Sequence, residues 1–231
     1  MCGEAFHSMV AAVFTLALLS TASPVPSAPP PAMASTPIRV RIRVDSRAVE
    51  KHVPLADLER TVRAIWKPYV DMVFVDAADL DGGEYDDEVQ LVVTDRPGAA
   101  VSGASALGWI TFVGPGQPAN FVTVSVASAR TLMAHDTWMG RRFADLPPAL
   151  GRQFVTRAVS WSAAHEIGHY LLRTGEHAAS GLMKSDVTAA EVMRNDKDWV
   201  RLEPRHIAAL RLRTAQAGLL ADTAPPPPRS E

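Results

Sequence analysis

The segment Ser162–Lys184, with the sequence SAAHEIGHYLLRTGEHAASGLMK, holds three of the seven histidines of this 231-residue chain. His165 and His169 are four residues apart, so on a helix they lie about 40° apart around the axis and about 6 Å apart along it. Both imidazoles can therefore reach one metal ion. Glu166 points about 100° away from His165, which suits a general base that takes a proton from water better than a metal ligand.

A catalytic zinc site needs a third protein ligand and one open position. The sequence predicts His177 as the third ligand, with Glu191 and Asp186 left open as alternatives. Gly175 is expected to end the helix in a left-handed conformation and to turn the chain so that His177 approaches the ion. Cys2 is the chain's single cysteine. It precedes the apolar run of residues 1–34, a segment that is interpreted below as a cleaved signal peptide, so the processed chain would contain no cysteine. Histidines and carboxylates are therefore the expected ligands.

A long helix is predicted to lead into this segment from Pro147-Pro148, because proline is favoured in the first turn of a helix. Upstream, five stretches with apolar runs or period-two alternation are predicted as strands: 38–44, 72–75, 89–94, 107–113 and 121–126. Further helices are predicted at 54–66, at 127–139 and from 204 to 220. Together these elements predict a single α/β domain with a mixed twisted sheet of about five strands, a long active-site helix and a C-terminal helix.

An acidic stretch, Asp79–Glu88, places six acidic residues around Gly82-Gly83. Hard cations such as calcium bind several oxygen ligands, so a calcium loop is one interpretation. The spacing does not follow the EF-hand pattern, and a solvated acidic turn is the favoured one.

The histidine segment resembles the metzincin clan of zinc endopeptidases, most closely its small bacterial members. The resemblance is carried by His165-Glu166-Ile167-Gly168-His169, by His177, and by Ser180-Gly181-Leu182-Met183. In the clan the third histidine usually follows the second by six positions with glycine midway, whereas here His177 follows by eight positions and Leu172 takes the place of that glycine.

This resemblance implies a metzincin-like domain in which His165, His169 and His177 bind Zn2+ and Glu166 is the base. It also implies that Met183 forms an apolar floor beneath the metal. An antiparallel edge strand, supplied by 107–113 or 121–126, would pair with the substrate backbone.

The first 34 residues contain no lysine or arginine, an apolar run from Met9 to Leu19 and then five prolines. The run is shorter than the roughly 20 residues needed to cross a bilayer, and small residues after it offer cleavage sites. Residues 1–34 are therefore interpreted as a signal peptide and proline-rich linker, although Glu4 and His7 are atypical of the basic start of a signal peptide. An uncleaved anchor or a disordered tail is the alternative.

Export predicts a secreted or periplasmic protein without stable membrane insertion after processing. The predicted domain spans 36–220 and is followed by a proline-rich, disordered tail at 221–231. The chain has 23 basic and 25 acidic side chains, so its charge gives no argument for a nucleic-acid partner.

The functional hypothesis is an exported zinc metallopeptidase, in first place an endopeptidase, with peptide or protein substrates. A chance match to the His-Glu-x-x-His pattern is expected on the order of once per hundred such chains. The alternatives are an exported binding protein with a structural zinc site, a degenerate protease that binds without cutting, and a metal-free scaffold.

Overall fold

The computed structural model describes residues 37–67, 69–79, 82–101, 104–194 and 198–223. The predicted signal peptide and linker at 1–34 lie outside these residues, as does most of the predicted tail. The last helix continues to Thr223, beyond the predicted domain boundary at 220.

Nine strands and six α-helices follow one another along the described chain. The strands are β1 (Ile38–Val44), β2 (Val70–Asp76), β3 (Asp87–Thr94), β4 (Ala100–Val101), β5 (Ala104–Ser105), β6 (Gly108–Gly114), β7 (Gln117–Ser125), β8 (Thr137–Trp138) and β9 (Arg141–Arg142). The helices are α1 (Ser46–Glu50), α2 (Leu55–Trp66), α3 (Val126–Ala134), α4 (Pro148–Leu172), α5 (Ala189–Met193) and α6 (Pro204–Thr223).

The main sheet has five strands in the order β2-β1-β3-β7-β6. β1 is parallel to both β2 and β3, and β3 is parallel to β7, whereas β6 pairs antiparallel with β7. The predicted α/β class, with a five-stranded mixed sheet, a long helix and a C-terminal helix, is confirmed. Of the two stretches proposed as an antiparallel edge strand, the one at 107–113 corresponds to β6, which lies at the edge of the sheet.

The core lies where α4 meets the sheet and α2. In β1 the alternating apolar residues are buried. Trp66 at the end of α2 is fully buried, and its indole N–H donates to the main-chain oxygen of Ala164 at 3.3 Å. Every residue of α4 from Ala158 to Leu171 is buried, so this helix passes through the interior rather than over it. The polar side chains of the histidine segment are therefore held in the core.

Two local predictions hold only in part. The helix predicted at 127–139 ends at Ala134, and a tight hairpin of β8 and β9 follows, with positive φ at Met139 and Gly140. The predicted solvated acidic turn is partly strand, because Asp87 and Glu88 belong to β3. Each of these two carboxylates pairs with an arginine, Asp87 with Arg213 and Glu88 with Arg41.

Within the described ranges, no helix has the length and apolar character that crossing a membrane requires.

Candidate metal centre

His165, His169 and His177 lie together, with one ring nitrogen of each within 4.8 Å of the others. The Nε2 atoms of His165 and His169 are 3.0 Å apart. The His177 ring centroid is 5.3 Å from that of His165 and 4.9 Å from that of His169. Two nitrogens that bind one zinc at 2.0–2.1 Å with tetrahedral angles lie about 3.3 Å apart. The three imidazoles are thus arranged closely enough to hold one ion.

The other ring nitrogens of His165 and His169 are fixed by the main chain. Nδ1 of His165 donates to the oxygen of Leu182 at 2.8 Å, and Nδ1 of His169 donates to the oxygen of Thr174 at 2.7 Å. In a neutral imidazole the Nε2 atom then carries a bare lone pair. Two bare lone pairs facing each other at 3.0 Å repel unless a cation lies between them. This orientation is typical of metal-binding histidines, and the donor set fits Zn2+.

Burial favours the uncharged form of these groups. It lowers the pKa of His165 to about 3, and it also lowers the pKa values of His169 and His177. The histidines are therefore neutral at physiological pH, the form that binds metal. Burial acts in the opposite direction on the carboxyl group of Glu166 and raises its pKa to about 8.

The turn that brings His177 to the other two histidines is made by Arg173. This residue caps α4 in the left-handed conformation, with φ 52° and ψ 41°. The prediction that Gly175 would make the turn is wrong, since its φ is not positive, and a β-carbon added there would be in van der Waals contact with the Phe112 ring of β6. A left-handed arginine is unfavourable by about 1 kcal/mol or more. The buried Leu171, the partly buried Leu172 and a hydrogen bond from Thr174 N to His169 O hold the chain in this path.

The loop that follows His177 is held by hydrogen bonds at both ends. Ala178 N donates to Met183 O at 2.7 Å, and Leu182 N donates to Arg201 O at 2.9 Å. Met183 is buried and packs against Gly168, where an added methyl would collide with its sulfur. The loop therefore presents the Leu182 oxygen to His165 and places the Met183 side chain against α4 at Gly168.

Gly181 allows this loop to form. Its φ is +74°, and a β-carbon there would collide with the main-chain oxygen of Arg201. Gly181→Ala is therefore expected to lower the free energy of unfolding by about 2–4 kcal/mol, through backbone strain and overpacking together. Gly140→Ala is the matched control, because Gly140 has φ +77° and nothing within 4 Å of an added β-carbon. It should cost only about 1 kcal/mol. If urea unfolding gives equal decreases in the free energy of unfolding for the two variants, the contact with the Arg201 oxygen does not contribute to the effect of Gly181→Ala.

Glu166 lies on the side of α4 that faces the edge strand. A β-carbon added to Gly108 in β6 would lie 2.9 Å from Cγ of Glu166 and would collide with Oγ of Ser162. Glu166 is only 7% exposed, so its carboxyl group is in the interior beside the histidine that precedes it. Neither Ser162 nor Gly108 was singled out from the sequence as a site residue, because a buried serine and a strand glycine carry no spacing signal.

The two alternative third ligands are not part of the cluster. Glu191 accepts hydrogen bonds from Lys184, at 3.0 Å, and from Thr188, with which it forms the capping box of α5. Asp186 lies near enough to His177 for its charge to oppose the lowering of the histidine pKa. Among the described residues, the three histidines form the group of possible ligands that could hold one metal ion. The described residues of the acidic stretch 79–88 form no such group for calcium.

A cavity of about 280 Å³ lies between Trp161, Trp199 and the loop that follows His177. Trp161 lines it and stacks on His165, with ring centroids 5.0 Å apart, and also on Trp199 at 5.9 Å. Asp186 and Glu191 contribute carboxylates to the lining. Trp161 thus contacts both the cavity and the candidate metal centre, and the cavity has an aromatic wall and a polar rim.

No family model matches the chain, and no curated protein matches it. Solved structures that match the chain include archaemetzincin from Methanopyrus kandleri, which is 16% identical with a TM-score of 0.44, the match covering 78% of this chain and 96% of that chain. A zinc-dependent peptidase from Methanocorpusculum labreanum is 14% identical with a TM-score of 0.44, the match covering 74% of this chain and 99% of that chain.

Proposed function

We propose that this protein is an exported zinc-dependent peptidase in which His165, His169 and His177 bind the metal. The observation that carries the proposal is the convergence of three neutral imidazoles, with one nitrogen of each within 4.8 Å of the others, beside a buried carboxyl group on the same helix. Export is supported by the apolar run from Met9 to Leu19 and by the small residues that follow it, which offer cleavage sites.

The chain's own groups divide the chemistry among them. When bound, zinc lowers the pKa of a coordinated water and polarises a substrate carbonyl. Glu166 accepts the proton of the attacking water and returns it to the leaving amine. The burial that raises the pKa of Glu166 makes its carboxylate a stronger base than a solvated one. Met183 provides an apolar floor and keeps water from that side of the helix.

Substrate is held at the edge strand in this proposal. β6 pairs on one side with β7 and lies at the edge of the sheet, so an extended peptide can add to it through main-chain hydrogen bonds. Trp109 and Val113 of β6 are exposed, and they would contact such a peptide. The cavity beside Trp161 would receive one substrate side chain.

The experiment that tests the proposal uses purified chain lacking residues 1–34. Elemental analysis is expected to find about one zinc per chain, and casein or a quenched fluorescent peptide library is expected to be hydrolysed. A chelator should remove both metal and activity, and added zinc should restore both. Zinc that resists chelation, with no turnover, would instead indicate a structural site in a binding protein. Chain purified without chelator that contains no zinc would favour the metal-free scaffold.

A further inference from the structure

One hydroxyl of the long helix has no hydrogen-bond partner in the part of the chain that the structure describes. Ser162 is 1% exposed, and its Oγ makes no hydrogen bond with any described residue. The other serine and threonine hydroxyls of the buried part of α4 are satisfied within the helix, since Thr156 donates to Arg152 O at 2.9 Å and Ser160 donates to Thr156 O at 2.8 Å. A buried polar group without a partner is unfavourable, and it needs an explanation. The Ser162 hydroxyl is therefore available to an acceptor outside its own helical turn.

The position of Ser162 indicates which acceptor that is. Ser162 precedes Glu166 by four residues, so the two side chains lie on the same face of α4. Helical side chains lean towards the N-terminus of their helix, and the Glu166 carboxyl group therefore extends over the turn that holds Ser162. The hydroxyl can act as donor, and an oxygen of the carboxyl group is an acceptor in either protonation state.

Gly108 leaves the space that both side chains occupy. A β-carbon at Gly108 would collide with Ser162 Oγ and would lie 2.9 Å from Glu166 Cγ. The hydroxyl and the side chain of Glu166 thus meet at one point of the edge strand. The main-chain oxygen of Thr123 is 3.0 Å from the position of the added β-carbon at Gly108. It is the competing acceptor for the Ser162 hydroxyl.

We propose that Ser162 is a positioning residue for Glu166. Its hydroxyl donates a hydrogen bond to the Glu166 carboxylate and holds it in one orientation against β6, while the absence of a side chain at Gly108 makes room for the pair. This rests on the proposed function, in which Glu166 accepts the proton of the attacking water. Ser162 itself touches neither substrate nor metal in this proposal.

The test compares Ser162→Ala and Ser162→Cys with Ser160→Ala. The cysteine variant keeps the approximate shape and replaces the hydroxyl by a weak donor. Ser160→Ala removes a buried hydroxyl from the same helix that is already bonded to Thr156. Peptide hydrolysis, zinc content and thermal unfolding are measured for all three variants and the parent. Crystal structures of the parent and of Ser162→Ala are determined as a readout that does not depend on activity.

Both Ser162 variants are expected to lower kcat by about 10- to 100-fold, because hydrogen bonds to charged groups are strong, with little change in KM or zinc content. Ser160→Ala should keep the parent's kcat. In the parent crystal structure Ser162 Oγ should lie within about 3.2 Å of a Glu166 oxygen, and the carboxylate should change rotamer in Ser162→Ala.

Two results would overturn the proposal. The first is a parent crystal structure in which Ser162 donates to Thr123 O while Glu166 keeps its rotamer in Ser162→Ala. The second is a pair of Ser162 variants with lowered thermal stability and the parent's kcat. If the parent hydrolyses no peptide, the proposed function fails, and the Ser162–Glu166 distance in the crystal structure still decides whether the hydroxyl holds the carboxylate.

Discussion

Glu166→Gln is expected to retain about one zinc per chain and to lose peptide hydrolysis by about 10²- to 10⁴-fold, the range by which a positioned general base accelerates such reactions. The physical reason is that glutamine has nearly the same shape as glutamate but cannot accept a proton at neutral pH. The three histidines and the main-chain oxygens that orient two of them are unchanged by this substitution. Elemental analysis and a fluorescent peptide assay measure the two quantities separately.

Glu59→Gln is the matched control for this variant. Glu59 lies on α2, pairs with Arg63, and belongs neither to the histidine cluster nor to the lining of the cavity beside Trp161. This variant should keep most of the activity. If Glu166→Gln hydrolyses peptides at the parent's rate, Glu166 is not the base, and if it loses zinc as well, the carboxyl group takes part in holding the metal.

His177→Ala should weaken zinc binding by more than about 100-fold, since changing even a group that only orients a ligand costs 10- to 100-fold. His177 is exposed, and the main-chain bonds of its loop do not involve its ring, so the fold should persist without the imidazole. Competition with a chromophoric chelator measures the zinc affinity, and circular dichroism checks the fold.

His135→Ala is the control, because His135 is an exposed histidine that caps α3 and is not one of the three clustered histidines. Its zinc affinity should equal that of the parent. Unchanged zinc affinity in His177→Ala would mean that the ion is held without this ring. Asp186 would then be the next candidate for the third ligand, because its charge acts on the pKa of His177.

The parts of the fold that follow from local periodicity were predictable from the sequence. The apolar-polar alternation in 38–44 corresponds to β1, whose apolar residues are buried. The prolines at 147–148 mark the start of the long helix. The spacing of His165 and His169 implied a shared face, and the structure has their Nε2 atoms 3.0 Å apart. Each of these depends on residues close together in the chain, which is where sequence patterns carry information.

The features that depend on distant contacts were not predictable. A glycine at 175 was the natural candidate for a left-handed turn, but packing of the helix end places that conformation at Arg173. The role of Gly181 follows from the approach of Arg201 O, twenty residues further along the chain. The orphan hydroxyl of Ser162 is visible only once β6 lies against the helix. In all three cases tertiary structure decides what the local sequence leaves open.

The imidazoles of His165 and His169 are oriented by peptide carbonyls, those of Leu182 and Thr174, and not by carboxylate side chains. Every residue type has such a carbonyl, so alanine scanning at 174 and 182 would remove neither bond. The orientation of these two rings therefore depends on the path of the main chain and not on the identity of any supporting side chain. The turns at Arg173 and Gly181 set this path. A substitution that changes the backbone conformation at either turn would misalign the two rings without contacting them.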